Sequence, residues 1–214
     1  MAGKLTVYIG YAVGVGKTYS MLQDAHTLIK NGIDVVIGYM EPHNRIDTIQ
    51  LAEGIESVVP TKIQYHNLNL SEVNISAIIT RNPKIVLIDE IAHTNAPESS
   101  HIKRYEDALE ILDAGIDVYT TMNIQHLESL YQKVFDAIGL RVNEQIPDKI
   151  IENAILVKNI DIPPSDLIDR ILSGKIFSAE QIPTALSNFF SERKLEELRT
   201  ITLWWCKKHK KFIN

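Results

Sequence analysis

A glycine-rich stretch near the start of the chain ends in a lysine and a threonine: residues 10–18 read GYAVGVGKT. Gly14 and Gly16 permit positive φ angles, so the backbone amides around them can line a concavity for phosphate oxygens. The Lys17 ammonium would contact the β- and γ-phosphates, and the Thr18 hydroxyl would ligate Mg²⁺. The stretch therefore predicts a site for a nucleoside triphosphate. The predicted contacts are Gly10, Val13, Gly14, Val15, Gly16, Lys17, Thr18 and Tyr19.

The stretch departs in one place from the phosphate-binding motif G-x-x-x-x-G-K-[ST], which is called the P-loop or Walker A motif. The motif has its first glycine at position 11, where this chain has Tyr11, and Gly10 stands one residue earlier. A glycine-rich turn of this kind could also be only a tight connection between a strand and a helix. Because Gly14, Gly16 and Lys17 supply most of the phosphate contacts, we expect phosphate binding from a loop whose first residues are non-standard.

Two acidic residues follow an apolar run later in the chain, where residues 84–90 read KIVLIDE. This is the arrangement called Walker B. Ligands bind at the carboxyl ends of parallel strands, so Asp89 would hold Mg²⁺ directly or through water. Glu90 could orient or deprotonate a water molecule near the γ-phosphate, which makes it the candidate catalytic residue. The two acids could instead cap the next segment. With both motifs in this order, we predict binding of ATP and Mg²⁺ and leave hydrolysis open.

Polar residues also follow the next predicted strand. Thr120, Thr121 and Asn123 stand where many ATPases place a residue that contacts the γ-phosphate, and Asn123 joins the predicted nucleotide contacts. They could equally be turn residues that bond the local backbone. Five other side chains are candidates for a cation facing the phosphates, although solvent exposure is expected for each: Arg45, Arg81, Lys103, Arg104 and Arg141.

The elements that must hold these residues alternate along the chain between apolar runs of strand length and helical repeats. Such alternation indicates crossover units and a parallel sheet with both faces covered. We predict an α/β fold with a P-loop NTPase-like, mostly parallel sheet and helices on both faces. Strands are predicted at residues 5–10, 33–40, 62–66, 84–89, 116–120 and 155–157, and helices at 17–30, 45–54, 103–114 and 127–138.

The C-terminal part of the chain has a different pattern, in which helices predominate. A short helix is predicted between Pro163 and Gly174, and two more follow it. Neither a repeat nor a long linker separates this part from the predicted sheet. We therefore predict a P-loop α/β domain at residues 1–160 and a helical extension at residues 161–214, packed on the same domain.

Composition narrows the possible functions. The chain has 214 residues, a net charge of -5 and 45% apolar residues, which argues against binding nucleic acid through bulk positive charge. Cys206 is the one cysteine, so the chain can form neither an internal disulfide nor a multi-cysteine zinc site, and we expect a reducing cytoplasm. We expect no direct membrane span. The run from Leu5 to Val15 imitates a signal peptide, but its glycines disfavour an apolar helix.

Three stretches are distinctive: residues 14–19 (GVGKTY), 86–97 (VLIDEIAHTNAP) and 115–130 (GIDVYTTMNIQHLESL). They closely resemble the N-terminal cytoplasmic domain of the KdpD family, the sensor histidine kinases of a potassium-responsive two-component system. The resemblance implies a regulatory domain that binds ATP at residues 10–18 and carries Asp89 at the Walker B position. Such a domain would respond to potassium or osmotic stress and adjust the balance between the kinase and phosphatase activities of the sensor.

Some features differ from the usual family pattern. Family members often have proline at the position of Val13, and residues 41–48 also depart from the family pattern. Their first loop position is usually not glycine, as with Tyr11 here. The sequence shows neither a phosphoacceptor-histidine helix nor the glycine-rich ATP lid of a histidine kinase core. We therefore expect either the sensory domain of a longer sensor kinase or a free-standing relative that acts on a separate kinase chain.

Two other functions stay open on the residues alone. One is a free-standing P-loop ATPase or small-molecule kinase with Glu90 as catalytic base, which phosphate release would reveal. The other is an interaction module without nucleotide whose loop has decayed, which a shift in melting temperature with Mg-ATP would exclude.

Overall fold

One sheet of seven parallel strands runs through the computed structural model, which describes residues 1–41, 45–66, 68–209 and 212–213. The sheet order is β3-β2-β6-β7-β1-β8-β9, and each neighbouring pair is parallel. A separate antiparallel hairpin consists of β4 and β5. The strands are β1 (Leu5–Gly10), β2 (Val35–Tyr39), β3 (Glu56–Ser57), β4 (Thr61–Tyr65), β5 (Leu68–Glu72), β6 (Ile85–Ile88), β7 (Asp117–Asn123), β8 (Leu156–Asn159) and β9 (Phe212–Ile213).

Helices connect most of the strands. They are α1 (Lys17–Lys30), α2 (Ile46–Ala52), α3 (Ile75–Arg81), α4 (Arg104–Asp113), α5 (Tyr131–Ile138), α6 (Asp148–Glu152), α7 (Pro164–Leu172), α8 (Ile182–Ser187) and α9 (Glu192–Lys208), with two short 3₁₀ helices at Ile124–His126 and Glu128–Leu130. Among the helices that the structure describes, none combines the length and the apolarity that a membrane span requires.

Both faces of the sheet are apolar. Successive residues of a strand point to opposite faces, and the central strands are buried at successive positions. On β1, Val7 and Ile9 belong to one core cluster, whereas Tyr8 belongs to a second. The second face is covered by α1 through Met21 and Leu22. The first face is covered by α4, α5, α7 and α9. The predicted α/β fold, a parallel sheet with helices on both faces, is confirmed.

The strand order brings distant parts of the chain to one edge of the sheet. In space β7 lies between β1 and β6, although it follows both in sequence. Parallel strands present their carboxyl ends on the same side, where ligands bind in open α/β sheets. Gly10 at the end of β1, Asp89 after β6 and Asn123 at the end of β7 therefore converge.

The C-terminal helices pack against the first face of the sheet. Leu167 and Ile171 of α7, and Leu195 and Leu198 of α9, are buried in the same cluster as Val7. After α9, β9 pairs in parallel with β8 and extends the sheet. The predicted C-terminal helical extension is thus confirmed as part of the fold, whereas its boundary after residue 160 stays a prediction.

Candidate functional site

The glycine-rich loop between β1 and α1 depends on three glycines. Gly14 and Gly16 adopt φ angles of +92° and +108°, in the left-handed region where a side chain strains the backbone. A Cβ atom at Gly10 would lie 2.6 Å from Val15 Cγ2 and 3.2 Å from Lys17 Cδ. Glycine is therefore needed at position 10 because the loop folds tightly back over the end of β1.

Lys17 begins α1, and its side chain is buried beside the end of β7. Its Nζ donates hydrogen bonds to the Ala12 carbonyl at 3.0 Å and to Asn123 Oδ1 at 2.5 Å. Burial lowers the pKa of this ammonium to about 8, against the opposing effect of the Asp89 and Glu90 carboxylates. At neutral pH the loop therefore holds a buried cation at the head of α1.

Asp89 follows β6 and faces the first turn of α1 across β7. The Thr18 hydroxyl donates to Asp89 Oδ1 and Oδ2 at 3.1 and 3.2 Å, and the Thr121 hydroxyl also donates to Oδ1. Burial raises the pKa of the Asp89 carboxyl, and the hydrogen bonds from both threonines oppose this rise. Mg²⁺ prefers oxygen ligands and is usually held by one or two protein groups together with phosphates and water. The Thr18 hydroxyl and the Asp89 carboxylate fit such an ion.

Glu90 lies in a sharp turn directly after Asp89. Its φ of +55° is uncommon for a residue with a side chain, and its amide donates to Thr121 Oγ1 at 3.0 Å. Glu90 lines a pocket of about 160 Å³ together with Lys17 and His93. The candidate catalytic residue therefore shares a small, polar pocket with the lysine of the glycine loop.

A larger cleft of about 660 Å³ opens at the same loop, a volume typical of small-molecule sites. It runs from Lys17 past Tyr19, which is 39% exposed. Its other walls are residues 45–48, 160–162 and 173–176. Because Lys17 lines both the cleft and the pocket, the two cavities meet at the lysine.

Tyr11, the departure from the loop motif, lies in the core rather than in either cavity. Its hydroxyl donates to the Ile162 carbonyl at 3.0 Å. Ile162 follows β8 and leads into α7, so the tyrosine ties the start of the loop to the C-terminal part of the chain. The side chain at position 11 therefore leaves the concavity of the loop open.

The structure brings the predicted site residues together, with Gly10 supporting the loop from the end of β1. Their roles toward a nucleotide and Mg²⁺ stay predictions. The cleft is lined by Gly14, Val15, Gly16, Lys17, Thr18 and Tyr19, and the pocket by Val13, Lys17, Thr18, Asp89, Glu90 and Asn123.

The five basic residues considered as phosphate-facing cations have different surroundings. Arg45 is partly buried and, of these five, it alone lines both cavities. Arg104 is wholly buried, so the expectation of solvent exposure is wrong for it. Its guanidinium bonds to groups inside the protein instead. Arg81 and Arg141 are exposed, and Lys103 is partly exposed and donates to a threonine hydroxyl.

Sequence analysis did not identify Arg170 of α7, which the fold brings to the glycine loop. Its Nη1 donates to the Gly14 carbonyl at 3.2 Å and to the Val15 carbonyl at 3.3 Å. Arg170 and Gly14 are 156 positions apart in the sequence, so no local pattern could have indicated this contact.

The segment that departs from the usual family pattern, residues 41–48, is described in part. Pro42, His43 and Asn44 lie outside the described residues. Arg45, Ile46, Asp47 and Thr48 form one wall of the cleft.

Comparison with known proteins places this chain in a family. The family model described as KdpD, osmosensitive K⁺ channel His kinase sensor domain, matches residues 1–209. The chain is 47% identical to the Sensor protein KdpD of Clostridium acetobutylicum over 201 residues, and this alignment covers 94% of this chain and 22% of that protein. It is 44% identical over 202 residues to the Sensor protein KdpD of Escherichia coli, an alignment that covers 94% of this chain and 22% of that protein. It is also 44% identical over 201 residues to the Putative sensor protein KdpD of Synechocystis sp., with 94% of this chain and 54% of that protein aligned.

The chain thus spans between about a fifth and about a half of the length of these relatives. The family model, by contrast, covers nearly all of this chain, including the glycine loop, the residues around Asp89 and the helices that follow the sheet. The chain therefore belongs to the KdpD family and corresponds to its osmosensitive K⁺ channel His kinase sensor domain.

Proposed function

We propose that this domain binds ATP with Mg²⁺ and regulates a KdpD sensor kinase in response to potassium or osmotic stress. The observation that carries the proposal is the convergence of Lys17, Thr18 and Asp89 at one edge of the sheet, with Thr18 Oγ1 3.1 Å from Asp89 Oδ1. A lysine, a hydroxyl and a carboxylate around a glycine loop at a helix N-terminus form a typical site for a phosphate chain and its metal ion.

Each part of the site has a separate role in this proposal. The amides of the glycine loop and the head of α1 bind the phosphate oxygens, and Lys17 contacts the β- and γ-phosphates. Thr18 and Asp89 would hold Mg²⁺, which when bound neutralises phosphate charge. Asn123, which accepts a hydrogen bond from Lys17, would contact the terminal phosphate. The larger cleft has room for the nucleoside beyond Tyr19.

The regulatory part of the proposal is supported by the family. The matching model is described as a sensor domain, and the relatives are named sensor proteins. The output would therefore pass to the remainder of a sensor kinase or to a separate kinase chain. Since ATP is the proposed ligand, the domain would act in the cytoplasm.

Titration calorimetry with Mg-ATP, in low and in high potassium, tests the proposal. Lys17→Ala should weaken binding about 10- to 100-fold, because a hydrogen bond to a charged group contributes about 1.5 to 3 kcal/mol. Lys62→Ala, which removes an exposed lysine of the hairpin, is the matched control and should bind as the wild type does. Unchanged ATP affinity in Lys17→Ala would refute the proposed site.

A melting experiment tests the alternative that the domain is an interaction module without nucleotide. A ligand present at 100 times its dissociation constant stabilises the folded state by about 2.7 kcal/mol. Mg-ATP should therefore raise the melting temperature of the wild type clearly, and that of Lys17→Ala less.

The surroundings of Glu90 favour a second function, that of an ATPase or small-molecule kinase with Glu90 as catalytic base. Glu90 lines the small pocket together with Lys17, and its φ of +55° is a strained conformation of the kind that clusters at functional sites. Phosphate release from Mg-ATP, measured with and without potassium, distinguishes the two functions. Release by the wild type should then exceed that of Glu90→Gln, while Glu180→Gln, an exposed control, matches the wild type. Equal release by wild type and Glu90→Gln would leave regulation as the function.

A further inference from the structure

Arg170 of α7 bonds to the outer side of the glycine loop. One guanidinium nitrogen, Nη1, donates to two successive backbone carbonyls, that of Gly14 at 3.2 Å and that of Val15 at 3.3 Å. The same nitrogen would lie 3.7 Å from a Cβ atom at Gly16. The guanidinium cation is therefore held against the loop by hydrogen bonds to two carbonyl oxygens of the loop. Such charge-assisted hydrogen bonds are stronger than those between neutral groups.

These two bonds set the direction of two loop amides. In a trans peptide the carbonyl and the following N–H point in opposite directions. The carbonyls of Gly14 and Val15 point at Arg170, so the amides of Val15 and Gly16 point away from it. Amides that point together from such a loop are the groups that bind phosphate oxygens.

A second contact covers the same part of the loop. A Cβ atom at Gly14 would lie 2.2 Å from Ile176 Cδ1 and 3.0 Å from Leu167 Cδ1, so both side chains pack directly on the Gly14 backbone. Arg170 and residues 173–176 also line the larger cleft. The end of α7 thus touches both the loop and the space beside it.

We propose that Arg170 is a positioning residue of the nucleotide site. It acts through the loop by orienting the Val15 and Gly16 amides toward the phosphates of a nucleoside di- or triphosphate. This inference rests on the proposed ATP binding and extends it to the C-terminal helices. Because coupling between two contacts is reciprocal, phosphate bound to these amides also strengthens the hold of the loop on α7.

Three variants separate positioning from charge and from packing. Arg170→Met keeps much of the apolar stem but removes both hydrogen bonds. Arg170→Lys keeps the charge on a single ammonium in place of the planar guanidinium. Arg193→Met removes the same charge from the exposed start of α9 and is the matched control.

Calorimetry with Mg-ATP and amide NMR of the ligand-free protein give the two readouts. Arg170→Met should bind Mg-ATP about tenfold more weakly and Arg170→Lys should be intermediate, while Arg193→Met binds as the wild type does. The Val15 and Gly16 amide resonances should shift in Arg170→Met more than those of α4. A side chain that only stabilised the fold would lower the melting temperature without this selective shift.

Each outcome bears on the inference. Wild-type affinity in Arg170→Met overturns it, even where Lys17→Ala abolishes binding and the proposed function stands. If Arg170→Met does not fold, Arg170→Lys decides, since wild-type affinity together with unshifted Val15 and Gly16 amides would overturn the inference. If the wild type itself does not bind Mg-ATP, the proposed function and the inference both fall.

Discussion

Arg104 of α4 donates a hydrogen bond from Nη1 to the backbone carbonyl of Asp89, 3.2 Å away, with its whole side chain buried. Its Nη2 donates to Glu72 Oε2 at 3.1 Å, and its guanidinium lies 4.0 Å from the centre of the Tyr39 ring. A buried arginine therefore joins the turn that carries Asp89 to the end of the β4–β5 hairpin, where Glu72 lies.

Arg104→Met should destabilise the domain strongly. Without the arginine, the buried Glu72 carboxylate keeps the Ala96 amide and the His93 ring as polar neighbours, and breaking a buried ion pair from one side costs about 3 to 5 kcal/mol of unfolding free energy. Arg81→Met is the matched control, since Arg81 pairs with Asp34 and Glu56 at the surface, where such pairs contribute about 0 to 1 kcal/mol each. Urea denaturation measures both. A smaller loss in Arg104→Met than in Arg81→Met would contradict this account.

Nucleotide affinity should fall as the pH rises above about 8. Burial lowers the pKa of Lys17 from 10.5 to about 8, and a bound triphosphate would favour the charged lysine and raise this value in the complex. Between the two values binding takes up a proton, so affinity falls with pH by up to about tenfold per unit. Calorimetry from pH 7 to 9.5 should show the fall in the wild type but not in Lys17→Arg.

The same pKa shift has the opposite sign for folding. The unfolded chain holds the Lys17 proton more tightly than the folded domain does, so this lysine makes the ligand-free domain more stable as pH rises from about 8 to about 10.5.

A constant Mg-ATP affinity over the whole pH range would show that Lys17 does not titrate where its burial indicates.

Gly14→Ala should cost more stability than Gly54→Ala. Both glycines have left-handed φ angles, +92° and +84°, so either alanine strains the backbone by about 1 to 2 kcal/mol. A Cβ atom at Gly54 has nothing within 4 Å, whereas at Gly14 it would meet Ile176 Cδ1 at 2.2 Å. Crowding should add about 1 to 3 kcal/mol in Gly14→Ala. Equal midpoints of urea unfolding for the two variants would mean that the end of the Ile176 side chain moves aside without cost or does not pack on the loop.

Cys206 should react slowly with thiol reagents in the folded domain. The side chain is 7% exposed, and burial raises its pKa to about 12. At pH 8 only about one thiol in ten thousand would be the reactive thiolate. Alkylation should be slow without denaturant and rapid in urea, and fast alkylation of the folded protein would place Cys206 at the surface.

The loop and the acidic turn could be predicted because local patterns determine them. At Lys17 the alternating pattern of a strand changes to a helical repeat, and α1 begins at that residue. Asp89 follows an apolar run that forms a buried strand, and Asn123 ends the next strand of the sheet. Their convergence follows from the rule that parallel strands share their ligand-binding edge.

The contacts of Arg104 and Arg170 could not be predicted in this way. Both arginines bond to backbone carbonyls that only the folded chain brings near. The carbonyl is 15 positions away in sequence for Arg104 and 156 positions away for Arg170. Helix α3, of seven residues, and strand β5, of five, lie outside the predicted elements, because segments this short give only a weak periodic signal. Tyr11 departs from the motif, and the reason lies in a contact 151 positions away, because its hydroxyl bonds to the Ile162 carbonyl.

In sequence, the hairpin of β4 and β5 ends at Glu72, whose carboxylate bonds to the buried Arg104. Glu72 at its base pairs with Thr61, and Tyr65 pairs with Leu68 at its far end, where both side chains are exposed. With a rise of about 3.4 Å per residue, that end lies about 14 Å from Glu72, so a rotation of about 10° at the base moves it about 2 Å. The exposed end of the hairpin is therefore the part most sensitive to any small reorientation at Glu72.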